Sequence, residues 1–564
     1  VYARISAIKF YLVVWVKACA RKLLEMCGIW AKILTGGAKM DHKALWKNGV
    51  NTLDARGPEG HKWLDLDSAT WCFTRLAING LNTEGMQPFE RASGLTWMCN
   101  GEIYNAKELE ELVGKKSASG SDCEVLGDLY QFMGKDAVRV ARALDGVFAF
   151  VLYYEGSYVV ARDPYGIRPL FYIESPSGSW TFASERKALE PFVQEGEKVV
   201  EFPPGEVWQI YEDTGDLVKR VYHEVPWIKQ TADMPLAYLR DALISAVDKR
   251  LMTERPVAAL LSGGVDSSLI AALVQRRLKE LGKPPLKTFS IGMKGGTDLF
   301  YAAWVARFIG SDHTEIVVTA DEMFDCIPEV IHDIESYDIT TVRASVGNWM
   351  IAREIRHRTD CKVVFNGDGS DEIFGSYKYF YNAPNDDAFE EEVRRLLKEI
   401  HKYDVLRSDR SISSHGLEAR TPFLDKQFVA AALAYKTSLR RPVAENKATG
   451  DPRRMEKLIL RDAFLKDGLL PDHVLYRTKE AFSDGVSSQA EGESWYQIIQ
   501  RKIEERGIIL DDTKLWWPIC HTKEALYYRS IYDRFYKHTG DLWPYWMPRW
   551  SPGATDPSAR TLKN

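Results

Sequence analysis

The sequence predicts two folded halves of different class: an α+β sandwich of antiparallel sheets with helices over residues 27–222, followed by an α/β unit with a parallel sheet over 236–564. Three observations carry this. Short β-rich runs at 95–99, 147–154 and 158–161 are broken by turn signals such as Asn-Gly and Asp-Pro, the texture of layered antiparallel sheet. Beyond a connector at 223–235, helical patterns at 236–250, 267–281 and 299–309 alternate with buried-strand patterns at 257–261 and 288–291, as in a parallel sheet with crossover helices. A chain of 564 residues with 45% hydrophobic content and no long biased tract has apolar mass for two cores. A further run at 389–406, acidic early and basic late, suits a helix whose dipole is complemented at both ends. An aromatic-rich segment at 543–550 has no role that the sequence assigns.

Composition removes several function classes. The formal charge of -5 is spread along the length with no basic stripe, so nucleic acid is not an expected partner. Eight cysteines show no C-x-x-C pair and no zinc spacing, which points to a reducing, cytoplasmic setting. The apolar stretch at 5–16 is interrupted by Lys9, is far shorter than a bilayer span and is followed, not preceded, by basic residues. No membrane association is expected, and residues 1–26 read as an extension absent from the mature protein. Removal of Met26 would leave Cys27 as residue one.

An N-terminal cysteine offers a thiol and an α-amine on the same residue, so the amine can take the proton as the thiolate attacks. Hydrolysis of an amide also needs donors for the developing oxyanion, a cation for a substrate carboxylate and acids for its ammonium. Asn100-Gly101-Glu102 follows the apolar run 95–99 and would sit at a strand end; Arg75 and Asp122 supply the remaining types. Singly each has an ordinary structural explanation, and their order is what is specific. Cys27-Gly28-Ile29, Arg56-Gly57-Pro58, Arg75-Leu76-Ala77, Asn100-Gly101-Glu102-Ile103-Tyr104-Asn105, Ser121-Asp122-Cys123-Glu124 and Asp145-Gly146-Val147-Phe148 occur in sequence. This set resembles the class II glutamine amidotransferase family, which has the N-terminal-nucleophile fold. The resemblance implies Cys27 as nucleophile, Asn100 and Gly101 as oxyanion hole, and Arg75 on the glutamine carboxylate beside Leu76, Ala77, Ile78 and Asn79. It also implies that Glu102 and Asp122 hold the glutamine amino group.

In the second half, the strand pattern at 257–261 runs into Ser262-Gly263-Gly264-Val265-Asp266-Ser267-Ser268 and then a helix pattern. Paired glycines at a helix N-terminus make a nest for phosphate. No Lys follows the glycines, which argues against ordinary γ-phosphoryl transfer, and an Asp inside the loop suggests a magnesium ligand. This loop is similar to the ATP-pyrophosphatase loop of the asparagine synthetase family, as are Tyr337–Ser345, Gly367-Asp368-Gly369-Ser370-Asp371-Glu372, His415–Asp425 and Lys479-Glu480-Ala481-Phe482-Ser483-Asp484-Gly485. The resemblance implies an ATP site built from Leu260, Ser262, Gly263, Gly264, Asp266, Ser267, Ile291, Asn366 and Gly367. It places Mg2+ on Asp266 and Asp371, phosphate or aspartate on Thr340 and Arg343, and a pyrophosphate-neutralising charge at Lys479. The implied reaction joins ammonia from glutamine to aspartate through β-aspartyl-AMP, releasing AMP and pyrophosphate.

One departure stands out. Asn366-Gly367-Asp368 replaces the Ser-Gly-Glu of the animal and enterobacterial members, so a catalytic acid at Asp368 would be one methylene shorter. A β-lactam synthetase shares the two-part plan but uses no ammonia, and the Cys27, Arg75, Asn100 and Asp122 set speaks against it. A non-catalytic binding relative would have no use for charged residues retained at both sites. Small-molecule substrates and a homodimer complete the expected partners.

Overall fold

The computed structural model describes residues 27–36, 51–57, 59–226, 234–444, 454–478, 493–511, 513–514 and 516–557. The extension 1–26 and Lys479 lie outside the described residues.

Two six-stranded antiparallel sheets form the first half. One contains β1 (Gly28–Ile33), β2 (His61–Asp65), β3 (Ala69–Thr74), β8 (Phe171–Glu174), β9 (Trp180–Ala183) and β10 (Val200–Glu201), in the order β10-β8-β9-β1-β3-β2. The other contains β4 (Phe89–Glu90), β5 (Thr96–Ile103), β6 (Gly146–Tyr154), β7 (Ser157–Arg162), β11 (Glu206–Tyr211) and β12 (Leu217–Val221), in the order β12-β11-β7-β6-β5-β4. Strand alternation sorts the side chains. Ile29, Ala31 and Ile33 of β1 meet Met98, Ala149 and Val151 between the sheets, while Trp97 and Phe148 face the helices Ala106–Val113, Val125–Phe132 and Ala137–Ala143. This is the α+β sandwich expected for an N-terminal-nucleophile fold.

The second half carries a five-stranded sheet, β15 (Asp312–Val318), β14 (Lys287–Met293), β13 (Val257–Leu260), β16 (Val363–Phe365) and β17 (Glu418–Arg420), every neighbouring pair parallel. Helices Leu236–Lys249, Val265–Glu280 and Thr297–Ile309 match the sequence patterns to within two residues. The run at 389–406 does not form one helix. It divides into Asp386–Glu399, a 3-10 turn Ile400–Lys402 and Asp404–Ser413, with the break at Tyr403 (φ -127°, ψ -91°), whose hydroxyl donates to Pro544 O at 3.1 Å. Charge order along the run does not register such a break, which coincides with a tyrosine buried against a distant segment.

The two halves share a core. Leu76, Ile78, Tyr104, Val147, Tyr165 and Ile167 pack in one apolar cluster with Leu243, Leu269, Phe365 and Phe423. Beside it runs a buried ion network across the halves: Arg56 to Glu185 and Asp409 at 2.9 Å each, Asp409 to Arg168 at 3.1 Å, and Arg168 to Glu418 at 2.8 Å. Charges this deep are tolerated only when fully partnered, so the network fixes the docking of one half on the other.

Candidate active sites

Cys27 stands at the mouth of the sandwich, where β1 begins. Its Sγ donates to Leu76 O at 3.2 Å and accepts from Leu76 N–H at 3.3 Å. Burial pushes its thiol up to about 12, with Glu418 and Glu102 adding to the effect against Leu76 and Arg75. A thiol held protonated in this way needs a base at the moment of attack. The small cavity at Cys27 is lined also by Phe73, Arg75, Leu76, Ile78, Asn79, Gly85, Gln87, Cys99, Gly101, Glu102, Ser121, Asp122 and Cys123.

The cavity carries charges of both signs. Arg75 is held by its loop, donating to Asn82 O at 2.6 Å and to Gly80 O. Glu102 accepts from Asn79 Nδ2 at 2.8 Å, and Asp122 accepts from Ile103 N–H at 2.7 Å. Burial raises the Asp122 carboxyl to about 6, although the Ile103 hydrogen bond works the other way. A cation at one point and two acids at another suit a zwitterionic amino acid.

Some sequence assignments fall elsewhere. Asn100 does not line the cavity: it lies on the inner face of β5, and its Nδ2 donates to Ser184 Oγ at 3.4 Å, the same hydroxyl that accepts from Ile29 N–H. Ala77 is likewise outside the lining, its N–H on Glu59 and its carbonyl on Arg255. Gly101 has a packing reason of its own, since a Cβ there would come within 2.2 Å of Val147 O on β6. Gln87, which exchanges hydrogen bonds with the Cys99 backbone, carries no recognisable motif and was not legible.

The larger cleft opens at the C-terminal ends of β13, β14 and β16, the position where open parallel sheets bind ligands. Leu260, Ser262, Gly264, Asp266, Ser267, Ile291, Thr340, Asn366, Gly367, Asp368 and Asp371 all line it. Gly263 does not; its φ is +72° and a Cβ would come within 2.3 Å of Tyr301 Cβ, so it makes the turn that lets the loop pass under the neighbouring helix. Ser262 and Ser267 hydroxyls meet at 2.9 Å and brace the loop, and Gly264 caps the Val265–Glu280 helix. The Thr340 hydroxyl is shielded and has no hydrogen-bond partner among the described residues.

Two carboxylates meet in this cleft on one cation. Lys457 Nζ lies 2.5 Å from Asp266 Oδ2 and 2.6 Å from Asp371 Oδ1. Lys457 is itself buried and in the left-handed region at φ +59°, a strained placement for a lysine. Asp368 is paired by Arg407 at 3.0 Å, which also holds Asp404 at 2.8 Å; burial nevertheless pushes the Asp368 carboxyl up. Arg343 is not in the cleft lining. It is buried against Glu524 at 2.5 Å and Asp556 at 2.6 Å and lies over the Tyr496 ring, so its charge is spent on tying down the chain's last described turn. The aromatic segment gains a role: Trp546 lines the cleft, its N–H donates to Asp338 at 2.7 Å, and its ring packs on Tyr377 and Tyr379.

The sandwich thus carries a cavity around a buried thiol, and the parallel sheet carries a cleft with a glycine loop at the C-terminal ends of its strands. Residues 26–212 match the glutamine amidotransferase domain family, and 238–389 with 382–556 match the asparagine synthase family. The chain is 38% identical over 578 residues to "Asparagine synthetase [glutamine-hydrolyzing]" of Gallus gallus, covering 96% of this chain and 99% of that protein. The proteins of that name from Cricetulus griseus and Homo sapiens are also 38% identical, each over 574 residues, 95% of this chain and 98% of theirs. The chain therefore belongs to the glutamine-hydrolysing asparagine synthetase family.

Proposed function

We propose that this chain makes asparagine from aspartate, ATP and glutamine. The single observation that carries this reading is the pairing, in one chain, of a Cys27 cavity lined by Arg75, Glu102 and Asp122 and a cleft with a glycine loop and an acid pair.

At the first site, Arg75 takes the glutamine carboxylate and Glu102 with Asp122 its ammonium, which sets the side-chain amide against Cys27 Sγ. The thiol forms a thioester and ammonia leaves; water then releases glutamate. The base is the Cys27 α-amine, which requires the Met26–Cys27 bond to have been cut. Gly101, beside the cavity, is the backbone candidate for an oxyanion donor, with Asn100 bracing β5 from behind.

At the second site, the Ser262–Ser267 loop and the Thr340 hydroxyl receive phosphate oxygens, and Leu260 and Ile291 border the adenosine. The aspartate carboxylate attacks the α-phosphorus and pyrophosphate departs; ammonia then displaces AMP. Asp368, held by Arg407, takes the ammonia proton, and Lys479 neutralises the departing pyrophosphate.

The donor set also fits magnesium. Asp266 and Asp371 come within reach of one point, which the Lys457 ammonium occupies here. An ion held by two carboxylates and completed by phosphate oxygens is the ordinary mode for Mg2+. When bound, it would supply charge neutralisation for the triphosphate.

The test is mass spectrometry of the purified protein's N-terminus, with glutaminase activity and aspartate-dependent pyrophosphate release measured on the same sample. Protein that begins at Cys27 and shows both activities supports the reading. An active glutaminase retaining Met26 sinks the α-amine mechanism.

A further inference from the structure

Glu102 has two partners of different origin. Asn79, from its own half, donates to Oε2 at 2.8 Å; Arg420, from the parallel sheet of the other half, brings Nη2 to 3.3 Å of the same oxygen. The Arg420 guanidinium is fully buried and fixed from every side. Its Nε donates to Glu418 Oε1 at 2.5 Å, and Nη1 donates to Arg250 O at 2.9 Å and Met252 O at 3.3 Å. Only Nη2 faces Glu102, attracting it by charge without an aligned hydrogen bond.

Other charges around Glu102 come from several elements. Asp122 and Cys123 face it from the 3-10 turn Asp122–Glu124, Cys27 from just ahead of β1, Glu418 from β17, and Arg168 from the segment after β7. Burial, then Asp122 and Glu418, push its carboxyl well above the usual range, while Arg420 and Arg168 oppose them. The same Arg420 reaches the ATP cleft by its main chain, since Arg420 O accepts from Asn366 N–H at 3.1 Å, one residue before Gly367.

We infer that Arg420, contributed by the ATP-binding half, is a positioning residue of the glutamine site, holding and charge-balancing the Glu102 carboxylate so that the glutamine pocket is completed across the domain boundary. This rests on the reading of Glu102 as a holder of the glutamine ammonium. One consequence is directional. Loss of Arg420 weakens glutamine recognition while ammonia-driven synthesis, which bypasses Glu102, continues.

The experiment uses the full processed enzyme and its Arg420→Gln, Arg420→Lys, Glu418→Gln and Glu102→Gln variants. Glutaminase kcat and KM are measured across pH 5–9, a range about both sides of neutrality, together with ammonia-dependent pyrophosphate release. Arg420→Gln is expected to raise the glutamine KM about tenfold or more, with pyrophosphate release within about threefold of the parent. Its acid limb of kcat/KM for glutamine moves to higher pH, and Arg420→Lys recovers part of the loss. Glu418→Gln removes a repelling charge and moves the same limb to lower pH. A parent-like KM in Arg420→Gln, or KM and pyrophosphate release failing in parallel, overturns the inference. Should Arg420→Gln not fold, Arg420→Lys decides, and a parent-like glutamine KM with an unmoved acid limb is the contrary result. A raised KM in Glu102→Gln with none in Arg420→Gln overturns the inference alone; an unchanged KM in Glu102→Gln overturns the reading of Glu102 and the inference with it.

Discussion

At Asp122, burial and function pull in opposite directions. Its carboxyl rises from an ordinary 3.8 to about 6, so the folded state holds the proton more tightly than the unfolded chain. The sign follows: the stability linked to that proton is present below pH 3.8 and is lost as pH rises through about 6. A shift of this size corresponds to roughly 3 kcal/mol. Asp122→Asn is therefore expected to be more stable than the parent at pH 8 by up to about that amount, the difference closing towards pH 4, while glutamine turnover collapses. Denaturant titration at the two pH values checks the first part and a glutaminase assay the second. Lys457 is the opposite case, a cation whose loss leaves two carboxylates facing each other. Lys457→Met is expected to lower pyrophosphate formation on the order of a hundredfold and to leave glutaminase activity nearly intact. The two residues also differ in legibility. Asp122 lies in a recognisable ordered set, whereas Lys457 sits in Arg454-Met455-Glu456-Lys457 with no motif around it. Only the chain's path brings its ammonium to Asp266 and Asp371, far away in sequence. Arg343 shows the converse: its motif position suggests a substrate role, while the partners the structure gives it, Glu524 and Asp556, lie nearly two hundred residues or more downstream.

Elements with a strong period were legible because local pattern and burial agree in them. β6 and the helices flanking β13 follow apolar alternation that any sheet or crossover would bury. The division at Tyr403 was not, since residues 389–406 keep helical composition throughout, and the contact that accompanies the break, from Tyr403 to Pro544, lies far along the chain. Glycines separate the same way. Gly263 is required by its turn and by Tyr301, so Gly263→Ala should distort the loop, abolish aspartate-dependent pyrophosphate release and destabilise the fold by about 1–3 kcal/mol. The contrast is Gly264, whose φ of -74° and more open surroundings predict that Gly264→Ala harms the fold far less. Parallel denaturation curves and pyrophosphate assays on the two variants distinguish them.

On the scale of the whole molecule, the buried network from Arg56 through Asp409 and Arg168 to Glu418 makes the halves one unit rather than two tethered enzymes. Removing one member of such a network leaves a partner charged and unpaired, which costs about 3–5 kcal/mol. Asp409→Asn is accordingly expected to lower stability by that order and to weaken glutamine-driven synthesis more than ammonia-driven synthesis. No sequence pattern announces this network, because each member pairs across the boundary. On the proposed reading, nitrogen released at Cys27 is captured by the adenylated aspartate. The most direct test supplies amide-15N glutamine, aspartate and ATP to protein beginning at Cys27 and to its Cys27→Ala variant, with mass-spectrometric detection of asparagine. The expected result is 15N-asparagine with the parent, none with the variant, and full recovery of the variant's asparagine synthesis when ammonia is added. Labelled asparagine from Cys27→Ala, or none from the parent when ammonia alone supports synthesis, would contradict the two-site account.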